Sequence, residues 1–124
     1  MIKNIIFDLT GVIFINHKIN SELINWIKLH KSEYGFYILT NNTKEVKEIL
    51  DKDIFNKIFT YSDTRFLKPD KRSFKHVLKE IGCLAEDCLF IDDSEDNISS
   101  ARKLNFNIIL FKNNEQIFKS LKNL

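Results

Sequence analysis

The chain has 124 residues, a length that suits one domain and leaves little room for a second. Hydrophobic residues make up 44% of the chain and include 11 phenylalanines, which is enough for one sizeable core. The formal net charge is only +2 and the basic and acidic residues are interspersed, so the charge pattern gives no signal for nucleic-acid binding. We therefore expect a single domain over residues 1–124.

The cysteines and the apolar runs indicate the cellular compartment in which the protein is expected. Cys83 and Cys88 have no further cysteine pair or histidine at zinc-ligand spacing, so we expect both to be reduced thiols, with Cys88 in the core. Apolar runs such as 12–15 and 108–111 are far too short to span a bilayer. The N-terminus also lacks the pattern of a secretory signal. These features predict a soluble cytoplasmic protein with no membrane partner.

Strand and helix signals alternate along the first half of the chain. An apolar run predicts a strand over residues 5–8, and helical spacing after the N-cap candidates Asn20 and Ser21 predicts a helix to about residue 32. The next apolar run predicts a second strand over 37–40. A short helix is expected over 44–50.

The same alternation continues in the second half. Pro69 suits a helix start and Gly82 a helix end. The predicted elements are, in order, a strand over 58–61, a helix over 69–82, a strand over 89–92, a helix over 97–104, a strand over 108–111 and a final helix around 117–121. Strands that are apolar on both faces and alternate with helices indicate a mostly parallel sheet covered by helices on both sides.

Polar side chains follow four of the predicted strands. Asp8 ends the first strand, Thr40 the second, and Asp92 with Asp93 the fourth, while Lys68 follows the third. In parallel α/β sheets the ligand crevice lies at the carboxyl ends of the strands, so we expect these side chains to meet at one edge.

The chemistry of this set is coherent. Three converging carboxylates repel one another unless a cation lies among them, and a few hard oxygen ligands suit Mg²⁺. Lys68 offers a point charge for a carboxylate and a phosphate oxygen, and the Thr40 hydroxyl and the backbone N–H groups after it can bind another. An ionised aspartate beside a metal is a competent nucleophile toward phosphorus. The set predicts phosphoryl transfer.

In these residues the sequence resembles the haloacid dehalogenase-like (HAD) hydrolases. The four motifs of that family correspond, in order, to Asp8-Leu9-Thr10-Gly11-Val12, Ile38-Leu39-Thr40-Asn41-Asn42, Lys68-Pro69-Asp70 and Phe90-Ile91-Asp92-Asp93. The resemblance extends from about residue 5 to about residue 101. It implies a three-layer Rossmann-like α/β fold, with a parallel sheet of about five strands in the order 3-2-1-4-5.

The resemblance also implies a role for each motif residue. Asp8 would be the nucleophile that forms an aspartyl-phosphate, and Lys68 would stabilise both Asp8 and the phosphoryl group. Thr40 and the amide of Asn41 would bind that group. The Mg²⁺ ligands would be Asp8, the backbone carbonyl of Thr10, Asp93 and, directly or through water, Asp92. The implied substrate is a phosphorylated small molecule or macromolecule.

Two features depart from the common pattern of that family. Most of its phosphatases have an aspartate at the position of Thr10, where it acts as general acid and base. A threonine cannot do so at neutral pH, and loss of such a group typically costs about 10²–10⁴-fold in rate. The stretches 11–37 and 41–68 are also too short for a cap domain. An uncapped core in this family goes with large substrates or with oligomers, so a homo-oligomer is possible.

Three alternatives remain open beside the phosphatase or phosphotransferase. Thr10 favours a binding or regulatory module that keeps the fold and the metal site but catalyses poorly. Dehalogenases and phosphonate hydrolases of the family also lack the second aspartate. A receiver domain of phosphorelay signalling uses similar residues, but its acidic pair lies on the first strand, whereas Asp92 and Asp93 follow the fourth.

Overall fold

A computed structural model describes residues 1–42 and 53–124 of the chain. The strands of this part are β1 (Asn4–Phe7), β2 (Phe14–Ile15), β3 (Lys18–Ile19), β4 (Gly35–Leu39), β5 (Lys57–Phe59), β6 (Cys88–Asp92) and β7 (Asn107–Leu110). The α-helices are α1 (Ser21–Leu29), α2 (Tyr61–Thr64), α3 (Lys71–Ile81), α4 (Glu95–Lys103) and α5 (Asn114–Leu121). A short 3₁₀ turn over Ala85–Asp87 leads into β6.

Five of these strands form one parallel sheet in the order β5-β4-β1-β6-β7. Numbered along the chain, this is the expected order 3-2-1-4-5, and the first strand is central. Phe7 at the end of β1 pairs with Ile38 of β4 on one side and with Ile91 of β6 on the other. The carboxyl ends of these three strands are therefore adjacent.

The sheet is buried on both faces, because alternate residues of each strand point to opposite sides. Ile5 and Phe7 belong to one apolar cluster, which also contains residues of α1 and α5, whereas Ile6 belongs to a second cluster with residues of α3 and α4. Helices thus cover both faces, and the three-layer α/β architecture is confirmed.

Between β1 and α1 the chain forms only a small antiparallel hairpin of β2 and β3. The stretch between residues 11 and 37 thus contains this hairpin, α1 and the start of β4. Both cysteines are free thiols and Cys88 is buried, as expected. No helix of the described residues is long and apolar enough to cross a membrane.

Several element bounds differ from the prediction. Helix α1 ends at Leu29 rather than about residue 32, and α4 starts two residues earlier than expected because the Ser94 side chain caps it. The third sheet strand ends at Phe59, since Thr60 caps the helix that begins at Tyr61. The helix expected over 44–50 lies outside the described residues.

Candidate active site

A crevice of about 170 Å³ lies at the carboxyl ends of β1, β4 and β6, beside the loop that carries Lys68. Its lining residues are Asp8, Thr10, Thr40, Asn41, Asn42, Lys68, Asp92, Asp93, Ser94 and Asn97. All seven site residues expected from the sequence are among them. The structure thus brings together side chains that are separated by up to 85 positions, from Asp8 to Asp93.

The Lys68 ammonium group lies at the centre of this cluster. Its Nζ is 2.7 Å from Asp8 Oδ1 and 3.0 Å from Asp92 Oδ2, and it donates to the Leu39 carbonyl at 2.8 Å. Three acceptors match the three N–H bonds of an ammonium group. The Lys68 side chain is only 2% exposed, so these contacts compensate for the loss of water around its charge.

The backbone of Lys68 is held by the side chain of Asn41. The Lys68 N–H donates to Asn41 Oδ1 at 2.8 Å, and Asn41 Nδ2 donates to the Lys68 carbonyl at 3.2 Å. Asn41 directly follows Thr40, whose side chain is buried and whose hydroxyl oxygen accepts from the Asn42 N–H at 3.2 Å. The end of β4 therefore presents Thr40 to the crevice and fixes the Lys68 loop beside it.

Asp92 is fully buried and its carboxylate is held from several sides. Its Oδ1 accepts from the Ser94 N–H at 3.0 Å, and its Oδ2 accepts from Asn97 Nδ2 at 3.0 Å as well as from Lys68. Asp93, the next residue, is exposed at the mouth of the crevice. Asp92 is thus held by the protein, whereas Asp93 is accessible to solvent while its carboxylate lies close to Asp8 and Asp92.

Asp8, Asp92 and Asp93 each place one carboxylate oxygen within 4.8 Å of the others. Burial, together with the charges of Asp92 and Asp93, raises the pKa of Asp8 from 3.8 to about 7, although Lys68 acts in the opposite direction. Burial, followed by the interaction with Asp92, also raises the pKa of Asp93. Crowded carboxylates of this kind have the oxygen donors that a divalent cation requires, and a cation would favour their ionised forms.

The turn after β1 brings Thr10 and Gly11 to the same crevice. Thr10 is exposed, and its hydroxyl oxygen lies 3.4 Å from Asn42 Nδ2. Gly11 has a φ of 98°, and a Cβ added to it would overlap the Asp93 carboxylate. The position after Thr10 therefore requires glycine, because the turn passes so close to Asp93.

The sequence prediction assigned no catalytic, phosphate-binding or metal-binding role to three of the lining residues, Asn42, Ser94 and Asn97. Ser94 and Asn97 both contact the Asp92 carboxylate, one through its backbone N–H and one through its side chain. Ser94 caps α4 and Asn97 lies in the first turn of that helix. The sequence signal that could have identified them is a polar residue in the first turn of the helix that follows a strand ending in aspartate.

The model of the haloacid dehalogenase-like hydrolase family matches residues 17–105. Among curated proteins, the chain is 36% identical over 93 residues to a drimenol cyclase of Aspergillus calidoustus, a match that covers 71% of this chain and 18% of the relative. It is 31% identical over 71 residues to a sesquiterpene phosphatase of Aspergillus oryzae, covering 53% of this chain and 36% of the relative. The chain thus spans only a part of both relatives.

Solved structures agree with the fold. A protein of Porphyromonas gingivalis described as a predicted HAD-like family hydrolase superposes with a TM-score of 0.87 at 18% identity, over 99% of this chain and 97% of the other. A HAD family enzyme of Bacteroides thetaiotaomicron, solved with magnesium and inorganic phosphate, gives 0.80 at 17% identity, over 95% and 100% of the two chains. At these identities the likeness concerns the fold alone. With the match over residues 17–105, the chain belongs to the haloacid dehalogenase-like hydrolase family.

Proposed function

We propose that this chain is a Mg²⁺-dependent phosphatase or phosphotransferase that acts through an aspartyl-phosphate on Asp8. The observation that carries the proposal is the position of Asp8, which is buried at the end of the central strand, paired with Lys68 at 2.7 Å and adjacent to two further carboxylates. We further propose that residues 1–124 act as one domain without a substantial cap insertion.

The acidic cluster fits a magnesium ion. Asp8 and Asp93 would be direct ligands together with the backbone carbonyl of Thr10, and Asp92, whose oxygens already accept three hydrogen bonds, would act directly or through water. Bound Mg²⁺ would neutralise the carboxylates and the oxygens of a phosphoryl group. The related fold solved with magnesium and inorganic phosphate supports this assignment.

The nucleophile of the proposed reaction is a carboxylate oxygen of Asp8. It attacks phosphorus, the bond to the leaving oxygen breaks, and an acyl-phosphate forms on Asp8. The Thr40 hydroxyl and the Asn41 backbone N–H bind the phosphoryl oxygens. Lys68 stabilises the ionised Asp8 before the attack and the phosphoryl group during it.

Thr10 sets the expected rate of the second step. Hydrolysis of the acyl-phosphate needs a base to activate water, and a threonine hydroxyl is a poor general base at neutral pH. We expect formation of the intermediate with a good leaving group and slow release of phosphate. The same residue favours a second candidate, a binding or regulatory module that retains the metal site and turns over poorly.

The substrate is a phosphorylated molecule. The name of the Aspergillus oryzae relative, a sesquiterpene phosphatase, makes a sesquiterpenyl monophosphate a reasonable compound to test first. That relative aligns over only 53% of this chain. The same assay should therefore also include an activated aryl phosphate, a substrate whose good leaving group makes reaction less dependent on specific binding.

The test uses the wild-type protein with Mg²⁺, an aryl phosphate and a sesquiterpenyl phosphate, beside Asp8→Asn and Thr10→Asp. We expect slow phosphate release and a covalent phosphate, detected by intact mass, in the wild type. Asp8→Asn should lose both. Thr10→Asp should gain about 10²–10⁴-fold in the hydrolytic step if the new carboxylate takes up the missing role.

The outcomes separate the two candidates. No turnover and no covalent phosphate in the wild type, with Thr10→Asp equally inert, would refute the phosphatase. The binding module would be favoured by a different result. In that case the wild type binds beryllium fluoride or vanadate in a Mg²⁺-dependent manner, measured as a thermal shift, but has no turnover, whereas Thr10→Asp does turn over.

A further inference from the structure

The backbone that carries Lys68 is held from two sides by side chains of other elements. Asn41, after β4, makes the two hydrogen bonds to the Lys68 N–H and carbonyl. Ser100 of α4 is buried, and its Oγ donates to the carbonyl of the next residue, Pro69, at 2.6 Å. These hydrogen bonds join the Lys68 backbone to the turn after β4 through Asn41 and to α4, the helix after β6, through Ser100.

These contacts differ in kind from those of the Lys68 ammonium group. Nζ is bound to Asp8, Asp92 and the Leu39 carbonyl, and two of these three acceptors are carboxylates. The proposed reaction changes Asp8, because its carboxylate loses its charge when it becomes an acyl-phosphate. The ion pair of Lys68 with Asp8 is then exchanged for a contact with the phosphoryl oxygens, while the backbone contacts of Asn41 and Ser100 are unaffected.

We infer that Asn41 and Ser100 are positioning residues, which keep Lys68 in place while its contact with Asp8 changes. In the resting protein the backbone contacts and the ion pairs of Nζ hold Lys68 together, so loss of the backbone contacts should loosen it even before substrate binds. Because the ion pair with Asp8 changes in the chemical steps, the same loss should lower kcat more than it raises KM. This inference rests on the proposed function for its consequence in turnover, but the hold on Lys68 can be measured without it.

The first arm of the experiment measures the hold itself. Lysine residues of the wild type, Asn41→Ala, Ser100→Ala and the control Asn123→Ala are labelled with acetic anhydride well below Tm, and the acetylation rate of Lys68 is compared with that of the other lysines by mass spectrometry. Asn123 is exposed near the C-terminus, and its side chain donates to the Lys119 carbonyl. We expect faster acetylation of Lys68 in the first two variants and an unchanged rate in the control.

The second arm measures turnover of an aryl phosphate with Mg²⁺. Misplacement of a reacting group by about 1 Å can cost about 10²-fold, so we expect kcat to fall about 10- to 100-fold in Asn41→Ala, with KM nearly unchanged. Ser100→Ala should show the same pattern to a smaller extent, because it removes one contact instead of two.

Each arm has its own contradicting result. If Lys68 is acetylated no faster in either variant than in the wild type, the inference is wrong whatever the turnover. A rise in KM without loss of kcat would also overturn it, since that pattern indicates weaker substrate binding. If the wild type releases no phosphate, the proposed function fails, and the acetylation rates still decide whether Asn41 and Ser100 hold Lys68. If Asn41→Ala does not fold, Ser100→Ala decides.

Discussion

Gly11 lies where the turn after β1 comes closest to Asp93. Its φ of 98° is unfavourable for residues with a side chain, and a Cβ there would overlap the Asp93 carboxylate. Gly82, at the end of α3, also has a positive φ, of 75°, but no atom of the described residues lies within 4 Å of an added Cβ. Comparing alanine substitutions at the two glycines therefore distinguishes the effect of backbone strain from the effect of displacing Asp93, a proposed metal ligand.

We predict that Gly11→Ala weakens Mg²⁺ or Mn²⁺ binding about 10- to 100-fold, because Asp93 must move. Gly82→Ala should cost only about 1–2 kcal/mol of unfolding free energy, from the left-handed backbone, and leave metal binding unchanged. Calorimetric titration gives the affinities and urea unfolding the stabilities. Equal metal affinity in Gly11→Ala and the wild type would contradict the assignment of Asp93.

The Asp8 carboxyl makes stability depend on pH. Burial raises its pKa from 3.8 to about 7 in the metal-free protein, so the folded state holds a proton that the unfolded state has lost. This contribution to stability is complete below about pH 4 and disappears as the pH rises through about 7. Asp93, whose pKa is also raised, acts in the same direction.

We predict that Mg²⁺ raises Tm more at about pH 8 than at about pH 5.5, since it binds the ionised carboxylates and competes with protons. Thermal unfolding with and without Mg²⁺ at both values measures the effect. Asp8→Asn, which is neutral throughout, should show a smaller difference between them. A Mg²⁺ shift independent of pH would show that Asp8 does not contribute to the cation site.

At the scale of elements, α2 is the helix that the strand prediction overlooked. Thr60 and Asp63 form a capping box: the Thr60 N–H and hydroxyl both donate to Asp63 Oδ2, at 2.9 and 3.1 Å. The pattern of threonine followed three positions later by an acidic residue was visible in the sequence. Because α2 has only four residues, it carries no apolar periodicity that would have revealed it.

We predict that Thr60→Ala lowers the free energy of unfolding by about 1 kcal/mol, the usual value of an N-cap. Asn113 is the N-cap of α5 and its side chain accepts from the Gln116 N–H at 2.8 Å, so Asn113→Ala should cost a similar amount. Urea unfolding followed by the fluorescence of Trp26, the single tryptophan, measures both. If Thr60→Ala leaves stability unchanged while Asn113→Ala lowers it, the Thr60 hydroxyl contributes nothing to the capping box.

At the scale of the whole molecule, three phenylalanines fill the core beneath α3 and α4. The centroid of the Phe74 ring lies 5.1 Å from the centroid of the Phe90 ring and 5.7 Å from that of the Phe106 ring, and both pairs are edge-to-face. Phe74 is 1% exposed. These contacts join α3, which follows the Lys68 loop, to β6, which ends in Asp92.

We predict that Phe74→Ala costs about 3–5 kcal/mol, from lost burial and the cavity left behind. Since small domains have about 5–15 kcal/mol in total, this variant should be close to unfolding. Leu84→Ala, at a side chain that is 62% exposed, should change stability by less than about 0.5 kcal/mol. Denaturant unfolding compares the two, and similar stabilities would contradict the role of Phe74 in the core.

The sequence alone was sufficient for the architecture and for seven of the ten residues that line the crevice. The strands over 5–8, 37–40 and 89–92 could be recognised because a buried parallel strand is a short apolar run. The longer helices could be recognised by the helical spacing of their apolar residues. The sheet order followed from the family resemblance, and the structure confirms it. Asp8 and Asp92 could be picked out because a charged residue directly after a buried strand needs a reason.

Only the tertiary structure decided how these residues interact. Asn41 and Lys68 are 27 positions apart, and Ser100 and Pro69 are 31 apart, so no local pattern relates them. The pKa of Asp8 depends on its burial and on charges from other strands, which no sequence window contains. Secondary structure follows from the spacing of neighbouring residues, whereas hydrogen bonds and electrostatics follow from distances that exist only after the chain has folded.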